Sequence, residues 1–389
     1  MEKYILTING GSSSIKFSLY SADGSLTQSM SGKIDRIGLP GSFLVYIKGD
    51  SKEIVRETPL ADFKAAVETL NAFLGEQVDF NNIVVVGHRI VHGMERGSHA
   101  VVTPELIAEL KNISSVDPEH LPLEIAILET FAERHPALVQ VACFDTVFHH
   151  DMPRVAQLLP IPRRFNAMGM RRYGFHGLSC AYIMEELARV DPTKAMGRTI
   201  IAHLGNGASI TAIKEGKSID TSMGFTPTGG ILMSSRTGDL DPGMLLYIMK
   251  SEGLSLDMMS HLVNHESGLL GVSETTSDMH DLLEHETTDE RAKEAIDLFC
   301  YEAKKRIGAY AAALGGIDTL IFTGGMGENA SRVRGRICAG LEFLGATLDS
   351  VRNDANEDII SPPSASVCVR IIHTNEELVI ARIAHGLIN

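Results

Sequence analysis

The chain has 389 residues, of which 44% are hydrophobic and 22% charged, a balance typical of a soluble globular protein with about two domains. It carries 35 lysines and arginines against 49 aspartates and glutamates, a formal net charge of −14. This charge disfavours binding to nucleic acid or to anionic membrane surfaces. A small anionic substrate would therefore need a local cationic pocket.

Five cysteines are widely spaced and include no CxxC pair, which argues against a disulfide framework or a zinc site and favours a reducing cytoplasm. The first residues lack a basic region leading into a long apolar stretch, and no run approaches 18 apolar residues. Neither an export signal nor a membrane span is expected. The metal motif HExxH and the nucleophile motif GxSxG are also absent.

The first half of the chain opens with a predicted β-hairpin. Residues 4–8 and 15–20 have the pattern of strands on either side of a polar, glycine-containing turn at 9–14, and a third strand follows. The remaining predicted elements of this half are helices over 61–74 and 121–131 and buried strands over 83–86, ending before Gly87, and 139–144.

Almost the same order returns near residue 200. Strands at 199–204 and 209–214 flank the turn Gly205-Asn206-Gly207, and the later elements are a further strand, a helix over 292–314 and a strand over 319–323. The recurrence predicts an α/β fold with two domains descended from one duplicated unit, facing each other across a cleft; chance recurrence is the alternative. The predicted domains are 1–150 with a returning C-terminal helix at 375–389, and 151–374.

Three glycine-rich turns at strand ends, 9–14, 205–207 and 324–329, suit a nucleotide polyphosphate, because their backbone N–H groups can converge on phosphate oxygens. Lys16 could lie over the first of them, although an ordinary hairpin turn is the alternative there. The P-loop pattern GxxxxGK[ST] is absent. A GxGxx[GA] match beginning at Gly325 lacks the βαβ context of a dinucleotide fold.

Two arginines lie in polar, glycine-rich segments. The planar guanidinium groups of Arg89 and Arg236 suit a carboxylate or a phosphate, although Arg236 could instead form a structural ion pair with Asp239 or Asp241. His176, with basic and aromatic neighbours, either faces an anionic transition state or is a satisfied core histidine.

Carboxylates follow two predicted strands. Asp145 comes directly after the strand at 139–144, where a doubly wound sheet places catalytic carboxylates, with a turn-capping aspartate as the alternative. Near the C-terminus, Thr374 and Glu377 have the spacing of a helix capping box, which leaves Glu376 to face a metal in the cleft.

Taken together, eight segments resemble the motifs of the acetate kinase family of acyl-phosphate-forming kinases, in that family's order and along essentially the whole chain. The resemblance implies duplicated ribonuclease-H-like domains, as in actin, sugar kinases and chaperone ATPases, and a homodimer. The segments are NGGSSSIKF (9–17), GHRIVHG (87–93), FDTVFH (144–149), RRYGFHG (171–177), HLGNG (203–207), SRTGDLDP (235–242), FTGGMGEN (322–329) and TNEE (374–377).

The resemblance also implies roles for individual side chains. Arg89 and Arg236 would hold the acyl and phosphoryl groups, and His176 would stabilise the transferring phosphoryl group. Asp145 and Glu376 would hold or orient magnesium, with manganese as the alternative metal. The implied sets are catalytic Asp145, Arg89, His176, Arg236 and His120; substrate-binding Arg89, Val91, Phe175 and Pro227; nucleotide-binding Ser12, Ser14, Lys16, His203, Asn206, Gly207, Gly325, Gly327 and Asn329; and metal-binding Asn9 and Glu376.

The implied reaction is acetate + ATP = acetyl phosphate + ADP, by direct in-line transfer. A carboxylic acid with a pKa of about 4 is already ionised at pH 7 and needs no general base. The obstacle is to bring one anion onto another, which two arginines, a histidine and Mg²⁺ would overcome by electrostatics and positioning. Asp145 is accordingly assigned to the metal and to alignment.

The sequence departs from the family pattern in three places. Gly10 stands where the family usually has alanine, TPTGG (226–230) replaces Thr-Pro-Leu-Glu-Gly, and Glu119-His120-Leu121-Pro122 replaces Leu-His-Asn-Pro. The last change touches the implied acyl pocket, so Glu119 is expected to turn into solvent or to pair with a cation. Propionate or butyrate therefore remain alternative substrates, and an actin-like ATP switch without an acceptor is the alternative of a different class.

Overall fold

The computed structural model describes residues 2–11, 14–49 and 51–389. The chain separates into two compact units. The first unit holds the residues up to Val147 together with Asn375–Asn389, and the second unit is Phe148–Thr374. Each unit contains one β-sheet and several helices, which confirms the expected α/β class. Among the described residues no helix combines the length and the apolar character that a bilayer span requires.

The elements follow one another along both units in this order. The strands are β1 Tyr4–Gly10, β2 Ser14–Ser21, β3 Gln28–Asp35, β4 Phe43–Lys48, β5 Ile54–Glu57, β6 Ile83–Ile90, β7 Ala100–Val101, β8 Val139–Phe144, β9 Arg198–Leu204, β10 Ala208–Lys214, β11 Lys217–Thr221, β12 Thr319–Thr323 and β13 Cys368–Ile371. The helices are α1 Phe63–Gln77, α2 Pro104–Asn112, α3 Leu121–Arg134, α4 Arg154–Gln157, α5 Arg163–Ala167, α6 Gly177–Val190, α7 Pro192–Ala195, α8 Pro242–Glu252, α9 Leu256–His265, α10 Gly268–Ser273, α11 Met279–His285, α12 Glu290–Leu314, α13 Gly324–Asn329, α14 Ser331–Cys338, α15 Ser350–Asp354 and α16 Glu376–Gly386.

The two sheets repeat one pattern of strand pairing. The first has the order β5-β4-β3-β2-β1-β6-β8-β7 and the second the order β11-β10-β9-β12-β13. In the first, β2 pairs antiparallel with β1 and β3, while β6 pairs parallel with β1 and β8. In the second, β10 pairs antiparallel with β9 and β11, while β12 pairs parallel with β9 and β13. This five-strand repeat confirms the expected duplicated, ribonuclease-H-like fold.

Apolar faces of helices cover both sheets. In the first unit Leu70 and Phe73 of α1 pack into a core with the strand residues. In the second unit Ile183 and Leu187 of α6 pack with Ile321 of β12. Burial of a side chain of this size contributes about 1.5 to 3 kcal/mol to the free energy of unfolding. These contacts hold the strand ends, and the polar residues that follow them, in fixed positions.

Strand β6 runs to Ile90, past the glycine at which the sequence predicted its end. A Cβ atom on Gly87 would lie 2.5 Å from Cγ2 of Ile380, so the glycine lets α16 pack closely on the strand. Gly87 therefore marks the approach of a helix and not the end of the strand. Arg89, expected just past the strand, lies on it.

The predicted capping box at the start of α16 is wrong. The N-cap is Asn375, whose side chain accepts the backbone N–H of the third helical residue at 3.0 Å. Thr374 lies one residue before the cap, and its hydroxyl is 2.8 Å from Oγ of Ser179. Glu377 is directed elsewhere as well, since its Oε1 accepts from Nδ2 of Asn9 at 3.5 Å.

Candidate active site

Arg89 and Asp145 form a buried ion pair at the ends of two neighbouring parallel strands of the first unit. Nη2 of Arg89 donates to Oδ2 of Asp145 at 2.8 Å; the Asp145 side chain is fully buried and that of Arg89 is 13% exposed. Burial lowers the pKa of Arg89, but the charges of Asp145, Glu376 and Glu124 outweigh it and raise the pKa above its ordinary value. Arg89 is therefore a permanently charged group with one edge fixed by Asp145.

Asn9, at the end of β1, contacts two carboxylates at the start of α16. Its Nδ2 donates to Oε2 of Glu376 at 3.1 Å and to Oε1 of Glu377 at 3.5 Å. The structure thus brings together the two residues predicted to bind metal and adds Glu377, which sequence reasoning assigned to a helix cap. Carboxylate and amide oxygens are the donors that Mg²⁺ prefers.

The first glycine-rich turn lies between β1 and β2. The N–H of Gly11 donates to the carbonyl of Ser14 at 2.8 Å, and Lys16 is exposed and lies opposite Asn9 in the strand ladder. Ser12, predicted to contact nucleotide, is outside the described residues. The pairing therefore places Lys16 beside the end of the strand that carries Asn9.

The start of α3 contains a buried group of polar residues. His120 is the N-cap, and its Nδ1 lies 3.0 Å from Oδ1 of Asp117. One turn on, Oε2 of Glu124 accepts the backbone N–H of Val91 at 2.9 Å. Burial raises the pKa of Glu124 to about 8, against the lowering effects of the Arg89 charge and of the Val91 N–H. Val91 is itself buried, and this hydrogen bond holds its backbone at the first turn of α3.

Sequence reasoning missed Glu124. The available signal was a glutamate on an apolar helical stripe, since Leu121, Ile125 and Leu128 on the same face of α3 are all buried. A charged residue at a core-facing position is uncommon unless it is paired or has a function.

In the second unit the imidazole rings of His176 and His203 stack, with centroids 4.0 Å apart and planes at 21°. Nδ1 of His176 lies 2.9 Å from Oγ of Ser209, and Nδ1 of His203 lies 2.9 Å from Oγ of Ser179. His176 also has a left-handed backbone conformation, φ 57°, at the N-cap of α6. Such a conformation is costly for a residue with a side chain and is typical of functional sites.

The turn Gly205-Asn206-Gly207 lies against the other edges of these rings. A Cβ atom on Gly207 would lie 3.3 Å from Nε2 of His176 and 3.9 Å from Nη1 of Arg236. A Cβ atom on Gly205 would lie 3.9 Å from Nε2 of His203. Both imidazoles and the guanidinium therefore converge on the glycine turn, where the missing side chains leave room for an anion.

Arg236 also contacts a predicted acyl-pocket residue, because its Nη1 donates to the carbonyl of Pro227 at 3.4 Å. The two aspartates considered as its structural partners serve other elements. Asp239 pairs with Arg306 at 2.6 Å, and Asp241 caps α8. Their described contacts therefore give each aspartate a structural role of its own.

The third glycine-rich segment, expected as a turn, is the short helix α13. Gly327 is buried and Gly325 is exposed, while Nδ2 of Asn329 donates to the carbonyl of Gly325 at 2.9 Å. Oε1 of Glu328 accepts the N–H of Gly324 at 2.9 Å and that of Thr374 at 3.2 Å. Glu328, which sequence reasoning did not single out, thus ties the segment to the chain before α16.

The remaining predicted residues have supporting contacts. The backbone carbonyl of Asn206 accepts the N–H of Ser234 at 3.2 Å. Phe175 is buried, and its carbonyl accepts from Nε2 of His149 at 2.9 Å. Ser179 and Ser209, also missed, each lie three residues after a predicted site residue, which was the only local signal for them.

Comparison with known proteins relates the whole chain to one family. Residues 4–382 match the model of the acetokinase family. The acetate kinase of Bacillus subtilis (strain 168) is 42% identical over 389 residues, covering 97% of this chain and 98% of that one. The acetate kinase of Carboxydothermus hydrogenoformans is 41% identical, covering 97% of each chain.

Solved structures agree. The acetate kinase of Porphyromonas gingivalis has a TM-score of 0.88 at 36% identity and covers both chains fully. A propionate kinase of Francisella tularensis has a TM-score of 0.92 at 35% identity and covers 99% of each chain. From the family match, the identities and the shared fold, this chain belongs to the acetokinase family.

Proposed function

We propose that this protein is a phosphotransferase that reversibly transfers the γ-phosphoryl group of ATP to acetate, forming acetyl phosphate and ADP. Membership of the acetokinase family supports the reaction class. The observation that carries the assignment is the pair of cationic groups: Arg89 held by Asp145 in the first unit, and Arg236 beside His176 at the glycine turn of the second. A simple ATP switch has no need of groups that would bind an anionic acceptor.

The chemistry requires charge and alignment rather than proton transfer. An oxygen lone pair of the carboxylate forms the new bond to the γ-phosphorus, while the bond to the bridging oxygen breaks and its electron pair leaves with ADP. Arg89 binds the carboxylate, and Asp145 keeps the guanidinium in one orientation. Arg236 and His176 are proposed to stabilise the negative charge on the transferring phosphoryl oxygens, and His120 and His203 are proposed as further polar groups for the same step.

Asn9, Glu376 and Glu377 fit a magnesium site, because an amide and two carboxylates converge at the start of α16. Bound there, Mg²⁺ or Mn²⁺ would neutralise charge on the phosphate oxygens. Lys16 lies opposite Asn9 on β2, and Ser14 begins the same strand. Both are proposed to approach the phosphates, as is Ser12 by its place in the sequence. The residues proposed to contact the rest of the nucleotide are His203, Asn206, Gly207, Gly325, Gly327 and Asn329.

The acyl group is proposed to contact Val91, Phe175 and Pro227, all of which are buried. A propionate kinase among the similar structures favours propionate as the second candidate substrate. Trapping the acyl phosphate as hydroxamate, from ATP and a panel of acetate, propionate and butyrate, tests the proposal directly. Hydrolysis of ATP that does not depend on a carboxylate would contradict it.

Helix α8 favours a homodimer. None of its eleven residues is buried within the chain. Two of them, the apolar Leu246 and the aromatic Tyr247, are each 70% exposed. A second copy of the chain would cover this face. Light scattering should give twice the chain mass, and Leu246→Glu should shift it towards the monomer. The five cysteines are free thiols, in keeping with the proposed cytoplasmic location.

A further inference from the structure

Glu124 is a buried carboxyl group to which the reaction outlined above assigns no role. The residue is 2% exposed, and its Oε2 accepts the backbone N–H of Val91 at 2.9 Å. Its Oε1 is buried and has no hydrogen-bond partner among the described residues. The carboxyl group therefore has one hydrogen bond and one unsatisfied oxygen, beside a residue proposed to line the acyl pocket.

The nearest cation is already engaged. The guanidinium of Arg89 lies close enough to interact with Glu124 electrostatically, but its ion pair in the structure is with Asp145. An ionised carboxylate buried with a single hydrogen bond is costly, and more so beside other carboxylates. The charged and titratable groups that surround Glu124, directly or across Arg89, are Arg89 on β6, Asp145 after β8, Asp117 and its partner His120 before α3, and Glu376 on α16.

Geometry and electrostatics agree on the protonation state. Ionisation of Glu124 would place a further negative charge around one guanidinium that already neutralises Asp145. A proton on Oε1 removes that charge and leaves Oε2 as the acceptor for Val91. The raised pKa of Glu124, about 8, is consistent with a neutral group at pH 7.

We propose that Glu124 is a positioning residue for the acyl substrate and acts as a neutral carboxyl group: it fixes the backbone of Val91 and leaves the charge of Arg89 to Asp145 and the incoming carboxylate. The inference rests on the proposed acyl-binding role of Arg89 and Val91. When Glu124 loses its proton, the added negative charge repels the carboxylate substrate and weakens its binding.

The test compares the KM for acetate at pH 7 and pH 9.5, with saturating magnesium and ATP, in wild type and Glu124→Gln. In wild type the KM should rise about tenfold at the higher pH, while kcat changes little. A tenfold rise corresponds to a repulsion of about one pKa unit between ionised Glu124 and the bound carboxylate. Glutamine keeps an acceptor for Val91 and cannot ionise, so its KM should match wild type at pH 7 and stay constant. Glu129→Gln, a half-buried position on the same helix that pairs with Lys111, should keep the wild-type rise.

Two outcomes would overturn the proposal. A KM for acetate that falls in Glu124→Gln already at pH 7 would mean that Glu124 is ionised in the native protein. An alkaline rise that persists in that variant would mean that another group titrates. Infrared detection of a protonated carboxyl group in wild type at pH 7, lost near pH 8, decides the question if the variant fails to fold.

Arg89→Ala in the same assay separates this inference from the proposed function. If that variant keeps the wild-type KM for acetate, the acyl-binding role of Arg89 is wrong. If Arg89→Ala loses acetate binding while Glu124→Gln behaves like Glu129→Gln at both pH values, only the role of Glu124 is wrong.

Discussion

The two units share one pattern of strand pairing but carry different polar side chains at the ends of their strands. The first unit gathers charges: Arg89 and Asp145 at the ends of parallel strands, and Glu376 and Glu377 on a helix that packs on them. The second unit gathers imidazoles held by serine hydroxyls, at a glycine turn that also meets Arg236. The same fold thus supports one site dominated by ion pairs and another dominated by the geometry of hydrogen bonds.

This difference shows that the duplicated fold determines where polar residues can collect, while the side chains decide what they do. A charge-dense site is sensitive to metal, to pH and to loss of one partner of an ion pair, because unpaired buried charges are costly. A site of oriented imidazoles is sensitive to the angle of each ring. Point variants in each unit test this contrast.

Arg89→Ala and Arg236→Ala should each lower kcat by about 10³- to 10⁵-fold, equivalent to about 4 to 7 kcal/mol, because each removes a guanidinium that stabilises the transition state. Arg89→Ala also removes the ion-pair partner of the fully buried Asp145 and should cost a further 3 to 5 kcal/mol, roughly, in the free energy of unfolding.

Steady-state kinetics and urea unfolding on the same preparations check both parts. Lysine at either position should restore little activity, since an ammonium group lacks the planar fork of two donors. Unchanged kcat with lost stability would show that the arginine is only structural.

Glu376→Ala should lower kcat about a hundredfold at fixed magnesium and should raise the magnesium concentration needed for half-maximal rate, as expected on losing a metal-site residue. Glu377→Ala should produce a smaller shift in the same direction, because its contact with Asn9 is longer, 3.5 Å against 3.1 Å. Magnesium titrations of the rate check the order.

Asn375→Ala is the matched control at the same helix end. It removes the N-cap and should cost about 0.5 to 2 kcal/mol of stability without changing the magnesium requirement. Equal magnesium dependence in Glu376→Ala and Asn375→Ala would contradict the assignment of Glu376 to the metal.

Ser209→Ala should lower kcat by about ten- to a hundredfold, with both KM values nearly unchanged. This is the range found when a group that hydrogen-bonds a metal-bound histidine is removed. The reason is that His176 loses the group that holds its Nδ1. Ser209→Thr keeps the hydroxyl and should restore most of the rate. Thr211→Val, which removes another buried hydroxyl from β10, controls for simple loss of stability. Equal rates in Ser209→Ala and Thr211→Val would refute the ring-orienting role.

The first unit should also lose stability in acid through His88. Burial lowers the pKa of His88 to about 3, against a smaller raising effect of Gln140. In the unfolded chain His88 takes up a proton near pH 6.5, whereas in the native state it stays neutral. The contribution of neutral His88 to the free energy of unfolding is therefore fully present above pH 6.5 and is lost as the pH falls towards 3. Between pH 7 and 5 the loss should be about 2 kcal/mol by urea unfolding. His88→Leu should remove this part of the pH dependence; an unchanged acid limb would show that other groups cause it.

Local sequence patterns were sufficient for the fold where a strand is a short, mostly apolar run followed directly by a polar residue or a glycine. β8 and β12 begin and end at the predicted residues for that reason. Local patterns failed where a contact with a residue distant in the sequence determines the structure. Gly87 looks like a strand end, but its packing against Ile380, far away in the sequence, explains the glycine. Thr374 looks like a helix cap, but Ser179 takes its hydroxyl.

The candidate site shows the same limit. Arg89 and Asp145 were recognised separately from their motifs, but the ion pair joins residues 56 positions apart, and no local pattern reports it. The serines that hold His176 and His203 lie on a different element from the ring each one contacts. Motifs thus located the groups proposed to touch substrate, whereas the groups that orient them appear only after folding.

The smallest expected effect concerns substrate choice in the first unit. Glu119 is half-buried in the turn before α3, next to His120, where the family resemblance implies an apolar wall around the acyl group. A carboxylate in that wall would repel the substrate's charge, so Glu119 is expected to face away and leave a roomier pocket.

One methylene group discriminates by only about 1 to 3 kcal/mol even in a tight pocket. Propionate should therefore be used with a kcat/KM within about tenfold of that for acetate. Glu119→Leu should shift the ratio towards acetate by filling the wall; a wild type that rejects propionate by several hundredfold, or a ratio unmoved in the variant, would place Glu119 outside the acyl pocket.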